Sequence, residues 1–164
     1  MDNATILKAD QDHCSGIWRN VLIYVWRNVT RPDAVEESRR YVEGHIAKGR
    51  GPLAMVIITE AQSQMPDGPT REKLAAVLTA MAPAATCAAM VHEQTGFRGA
   101  AVRGIVTVLN TLARQPFPYK SFGDVETASN WMATIHNDGK GAIAAADLIG
   151  VVGRLRSSTV KPIA

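Results

Sequence analysis

Residues 17–60 read IWRNVLIYVWRNVTRPDAVEESRRYVEGHIAKGRGPLAMVIITE, and this stretch decides the fold. From Ile17 to Val29 β-branched and aromatic residues dominate, with Val21, Ile23 and Val25 on one face and Leu22, Tyr24 and Trp26 on the other. A strand apolar on both faces belongs in the middle of a sheet covered on both sides. Thr30-Arg31-Pro32-Asp33 then starts a helix: Thr30 or Arg31 lies near the cap, Pro32 in the first turn, and Asp33, Glu36 and Glu37 near the positive end of the dipole. Val35, Tyr41 or Val42, and Ile46 recur at helical spacing, and Lys48-Gly49 ends the helix. Pro52 to Glu60, with Leu53, Met55, Val56, Ile57 and Ile58, is a second buried strand. A strand, a helix and a strand in this order predict a parallel pair joined by a crossover.

Reading outward, Thr5 to Ala9 is a short apolar-rich stretch, and residues 10–16 read as a turn that closes a β-hairpin with the Ile17–Val29 strand. Residues 61–69, with two prolines and a glycine, read as a loop. Thr70 to Ala85 is a helix with Thr70 as N-cap and Leu74, Val77, Leu78 and Met81 as its apolar stripe, broken near its end by Pro83. Thr86 to Glu93 is a third buried strand, and residues 95–114 form a helix. Phe117 to Phe122, flanked by Pro118 and Gly123, is an edge strand, and Asp124 caps a helix through Ala128, Trp131 and Met132. Residues 139–158 carry Leu148, Val151, Val152 and Leu155 at helical spacing despite Gly150 and Gly153. The expected order is ββαβαβαβα: an α/β fold with a mixed sheet of about five strands, helices packed on it, and one further helix. Residues 1–138 form the domain, and 139–164 an appended helix and polar tail. That last helix docks on its own domain, meets a partner or second copy, or lies on a membrane surface, the last disfavoured because few cationic residues lie along its apolar part.

The 164 residues are enough for one domain with a core that needs no disulfide or metal. Hydrophobic residues at 46% and charged residues at 20% exclude a disordered polymer, and only 5% are aromatic, so aliphatic side chains build the core. The net charge is +3, and Arg39, Arg40, Lys48 and Arg50 are interleaved with Glu36, Glu37 and Glu43. A basic stripe with exposed aromatics is missing, so no nucleic-acid partner is expected. The first ten residues lack the basic and long apolar regions of a signal peptide. Gly141 to Gly153, about 13 residues and interrupted by Asp147, is too short for the roughly 20 apolar residues of a span. Cys14 and Cys87 form no CxxC and read as reduced thiols. These features together predict a cytoplasmic protein.

Two segments carry a resemblance. TGFRGAAVR over 95–103 opens a helix, and FPYKSFGDVETASNWM over 117–132 runs from a strand ending in Phe through an acidic cap to a helix bearing Trp131. Both, with the topology, resemble the SpoIIAA-like or STAS-like domains of bacterial regulatory proteins, over roughly residues 4–136. The resemblance implies a non-catalytic regulatory or adaptor module acting through protein–protein contact with an unidentified partner or a second copy as a homodimer. For some relatives it implies small-ligand or lipid binding instead. In the anti-sigma factor antagonists of that group a serine in an Asp-Ser-Ser-Gly-like turn is phosphorylated. That motif is absent here, which leaves Ser63 and Thr70 as positional candidates, with simple capping the ordinary explanation for Thr70.

His13, His45, His92 and His136 are isolated in sequence, and no HExxH, GxSxG or GxxxxGK[ST] occurs. His13-Cys14 and Cys87 with His92 could converge in space, but the spacing does not demand it, and neither a metal nor another cofactor is expected. The clearest polar constellation is the helix start at Gln94, Thr95 and Gly96 with Arg98 and Arg103 nearby. Free N–H groups and guanidinium forks there suit an anion, against the plainer reading of a capped helix with solvated arginines. Ligands of α/β sheets sit at strand C-terminal ends, which puts any site here or at the Glu60–Thr70 loop.

Overall fold

The computed structural model describes residues 3–95, 100 and 115–158. Among them, six strands form one mixed sheet in the order β1-β2-β3-β4-β5-β6. β1 (Thr5–Ala9), β2 (His13–Trp18) and β3 (Val21–Trp26) are antiparallel neighbours. β4 (Leu53–Thr59), β5 (Ala85–His92) and β6 (Tyr119–Phe122) continue from β3 in parallel. Four helices are seen among the described residues: α1 (Pro32–Ala47), α2 (Gly68–Met81), α3 (Val125–Ala133) and α4 (Ala145–Arg156). The α/β class and the mixed sheet are as the sequence predicts. The helix expected over 95–114 lies, apart from Thr95 and Ala100, outside the described residues.

The opening of the chain differs from expectation. Residues 13–16 are strand rather than turn, and the expected strand over 17–29 is cut in two by a hairpin at Arg19-Asn20, giving six strands instead of five. Both turn residues are left-handed, with φ of 45° and 57°. Such a pair matches the twist of a two-residue hairpin. Asn tolerates that conformation, but Arg gives no sequence signal for it. His-Cys-Ser-Gly looks like a turn by composition, yet small residues are what β2 needs where helices press on it. A Cβ on Gly16 would lie 3.1 Å from the Thr5 carbonyl oxygen and 3.4 Å from Leu155 Cδ1.

The strict alternation in β3, β4 and β5 sorts the core into two layers. Leu22, Tyr24, Trp26, Met55, Ile57 and Met90 face α1 and α2. Val21, Ile23, Val25, Val56, Ile58 and Val91 face α3 and α4. The second face is thinned by Ala54, Cys87 and Ala89, and Met132, Leu148, Val151, Val152 and Leu155 fill it. Of the alternatives for the last helix, it docks on its own domain, over Ala145–Arg156 rather than all of 139–158.

Helix ends follow local chemistry. α1 begins with Pro32 in its first turn and ends in a Schellman motif. There Gly49, at φ 58°, donates to the Ile46 carbonyl at 2.9 Å, and Arg50 N donates to the His45 carbonyl at 3.2 Å. α2 starts two residues before Thr70. Its N-cap is Asp67, whose carboxylate accepts from Thr70 N at 2.9 Å, and Pro69 sits in the first turn, where a missing N–H costs nothing. Asp124 caps α3 in the same way, as expected from the sequence, accepting from Thr127 N at 2.7 Å. No helix among the described residues is long and apolar enough to cross a membrane.

Candidate functional site

β3, β4 and β5 end side by side, with Trp26 opposite Thr59 and Thr59 opposite His92. The ladder runs one residue further: Glu60 N donates to the Trp26 carbonyl at 3.0 Å and Glu93 N to the Thr59 carbonyl at 3.1 Å. Two carboxylates therefore emerge on neighbouring strand ends. Arg156, the last residue of α4, reaches across both, with Nη2 donating to Glu93 Oε1 at 2.6 Å and Nε 3.8 Å from Glu60 Oε1. Arg27 stands behind this group. Its Nη2 donates to the carbonyls of Arg156 and Ser158 at 2.9 and 3.0 Å, and its Nη1 to the Asp10 carbonyl at 3.2 Å. A guanidinium on the last carbonyls of α4 also meets the negative end of the helix dipole. The cluster is partly buried, and its geometry fastens α4 to the strand ends.

The loop after β4 is equally fixed. Ser63 N donates to the Glu60 carbonyl at 3.0 Å and Ser63 Oγ to the Asn28 carbonyl at 3.2 Å. Gln94 lies beneath it, with Nε2 donating to the Ser63 carbonyl at 2.8 Å. Its Oε1 is buried and has no hydrogen-bond partner among the described residues.

Of the residues singled out by sequence, Thr95 is exposed beside this cluster, and Gly96, Arg98 and Arg103 lie outside the described residues. Ser63 is 2% exposed and Thr70 is 1% exposed, so neither hydroxyl reaches solvent in this conformation. Arg27, Glu93 and Arg156 form one group that spacing does not reveal, since 129 residues separate Arg27 from Arg156.

The thiols and imidazoles lie in the interior. Burial pushes Cys14 up from its ordinary pKa and Cys87 to about 11, which keeps both protonated at neutral pH. That is the opposite of an activated nucleophile. His13 is buried against Trp26, with ring centroids 5.1 Å apart and Nδ1 3.3 Å from Asp10 Oδ1. Burial lowers its pKa against the pull of the Asp10 charge. His45 Nε2 sits 3.0 Å from the Gly51 carbonyl, so that nitrogen carries the proton. His136 bridges Thr86 Oγ1 at 2.7 Å and the Arg19 carbonyl at 3.0 Å. Since a carbonyl only accepts, Nε2 donates to Arg19. Burial lowers the pKa of His136 too. Among the described residues no group of three His, Cys, Asp or Glu side chains could hold a metal ion.

No family model, curated protein or solved structure matches the chain.

Proposed function

We propose that this chain is a non-catalytic regulatory or adaptor module, of the SpoIIAA-like kind its sequence resembles, acting through protein–protein contact. The observation that carries the reading is a pair of exposed apolar residues on β1, an edge strand of the sheet. Ile6 is 53% and Leu7 38% exposed, two of the four large hydrophobic side chains exposed among the described residues. Ile6 also borders a groove of about 330 Å3 between β1 and α4, with Ala4, Val151 and Leu155. Apolar side chains gathered at a groove mark a contact surface more than scattered ones do.

β1 is an edge strand, but its register slips between Ile6 and Lys8, which leaves Leu7 as an extra residue. A bulge and a lysine discourage strand addition. The contact accordingly uses side chains set into the groove. The engagement of Arg156 by Glu93 and Glu60 supports the same reading, because those carboxylates already serve the fold.

The test is affinity capture from a bacterial host, run in parallel with sedimentation, using the wild-type chain and an Ile6→Asp/Leu7→Asp variant. The reading expects a partner, or a second copy of the chain, that is held by the wild type and lost in the variant. A reproducible catalytic turnover abolished by His92→Ala or Glu93→Gln would overturn it.

A further inference from the structure

The opposite end of the parallel strands holds a cavity of about 530 Å3, bordered by Thr5, Arg19, Asn20, Arg50, Asp138 and Lys140. Four chain segments build it: the start of β1, the β2–β3 hairpin, the exit from α1 and the link between α3 and α4, the last three of which carry its charges. The segments that carry Arg50 and Lys140 are fixed by hydrogen bonds to their backbone. Arg50 follows the Schellman motif, its N bonded to the His45 carbonyl and its own carbonyl accepting from Asn20 Nδ2 at 2.9 Å. His45 then holds the Gly51 carbonyl. Lys140 lies between Gly139 and Gly141, at φ of 89° and 147°, and its N donates to Asp138 Oδ1 at 2.8 Å. Asn137 Oδ1 accepts from the N–H groups of both glycines.

The carboxylate in the cavity is already spent. Arg19 grips Asp138 with Nε at 2.8 Å and Nη2 at 3.2 Å, and reaches the carbonyls of Gly141 and Ala142. Arg19 holds this position from a left-handed backbone, a conformation that costs an ordinary residue of order 1 kcal/mol. Arg50 and Lys140, by contrast, make no ion pair with any described residue, and their side chains are exposed. With Arg19 cancelling Asp138, the cavity keeps two uncompensated positive charges, both presented from a fixed backbone.

We propose that this cavity binds a phosphoryl dianion, such as a phosphate monoester, between Arg50 and Lys140. Two cations on separate segments match a charge of −2 better than that of a single carboxylate, and Thr5 borders the same cavity with a hydroxyl that can donate to a phosphoryl oxygen. Preorganisation matters here: the backbones of both cations are already ordered, so binding orders only their side chains. The inference is independent of the protein contact proposed above, which uses the groove between β1 and α4.

The experiment is an amide NMR titration of the wild-type chain with methyl phosphate at pH 7.5 and low salt. Acetate serves as the monoanionic comparison. The proposal expects saturable shifts at Gly49, Gly51, Gly139 and Gly141, with acetate about tenfold weaker. It also expects each of Arg50→Gln and Lys140→Gln to weaken binding by about tenfold, through loss of a charge-assisted hydrogen bond. Neither substitution removes a side-chain hydrogen bond or ion pair seen among the described residues, so the melting temperature should move little. Lys73→Gln, on α2, should leave binding unchanged. Absence of saturable shifts at these glycines overturns the proposal. So does equal binding of acetate, or binding undiminished in the Arg50→Gln/Lys140→Gln double variant.

Discussion

Gly16 shows how one missing side chain sets a packing distance. A Cβ at Gly16 would crowd the Thr5 carbonyl oxygen at 3.1 Å and touch the Leu155 methyl group at 3.4 Å, so Gly16→Ala requires β1 to give by a few tenths of an ångström. Overpacking of this kind costs about 1–3 kcal/mol. Urea denaturation should show a lower midpoint with an unchanged slope, and an unaltered midpoint would mean that β1 yields freely. Asp138 gives a prediction in pH. Its hydrogen bonds from Arg19 hold its pKa at about 2, below the ordinary 3.8. The unfolded chain therefore takes up this proton first on acidification. The stability owed to the pair is present above pH 4 and is lost as pH falls toward 2. Asp138→Asn should flatten that part of the stability curve and lower stability at pH 7. His13 and His136 act in the neutral range. Burial lowers both pKa values, so the unfolded chain binds protons below about pH 6.5 that the folded chain refuses. Their contribution is present above that pH and lost below it. Imidazole titration by NMR should find both midpoints below 6.5; midpoints at or above it would contradict the burial argument.

Among the elements, α2 tests the reading of helix starts. Its cap is Asp67, and the bond from Thr70 N satisfies one of the free donors of the first turn. Asp67→Ala should destabilise the chain by about 1 kcal/mol, visible as a lower melting temperature. A substitution at Thr70 that keeps its backbone N–H leaves this cap in place. The sequence pointed to the right turn and the wrong residue, because Pro69 makes the preceding residues look like loop although proline is at home in a first turn. The error in β2 and β3 has a different cause. A run that is apolar on both faces carries no mark of where a hairpin interrupts it, and the left-handed Arg19 is held by contacts with Asp138, Gly141 and Ala142, more than a hundred residues away. The faces of β3, with Val21, Ile23 and Val25 against Leu22, Tyr24 and Trp26, were legible because strand geometry alone alternates them.

At the scale of the whole molecule, α4 is structural rather than accessory. Leu148, Val151, Val152 and Leu155 are buried on the sheet face that carries Val21, Ile23, Ala54 and Cys87. Arg27 and the two strand-end carboxylates hold its C-terminal end. A chain ending at Ala144 should expose that face, lose its cooperative thermal transition and bind a hydrophobic dye. If it melted cooperatively near the wild-type temperature, α4 would be an attachment after all.

The α/β class, the parallel strands, the two-sided burial of β3, β4 and β5, and the Asp124 cap follow from sequence, because each depends on residues within a few positions of one another. The third antiparallel strand, the docking of α4 and both polar clusters do not. Arg27 meets Arg156 across 129 residues, and Arg19 meets Asp138 across 119. Arg50 and Lys140 reach one cavity only because the segments that follow α1 and α3 come to rest at the same end of the parallel strands. Local periodicity dictates which face a side chain takes; only the closed chain decides which charges are cancelled and which are left to meet a ligand.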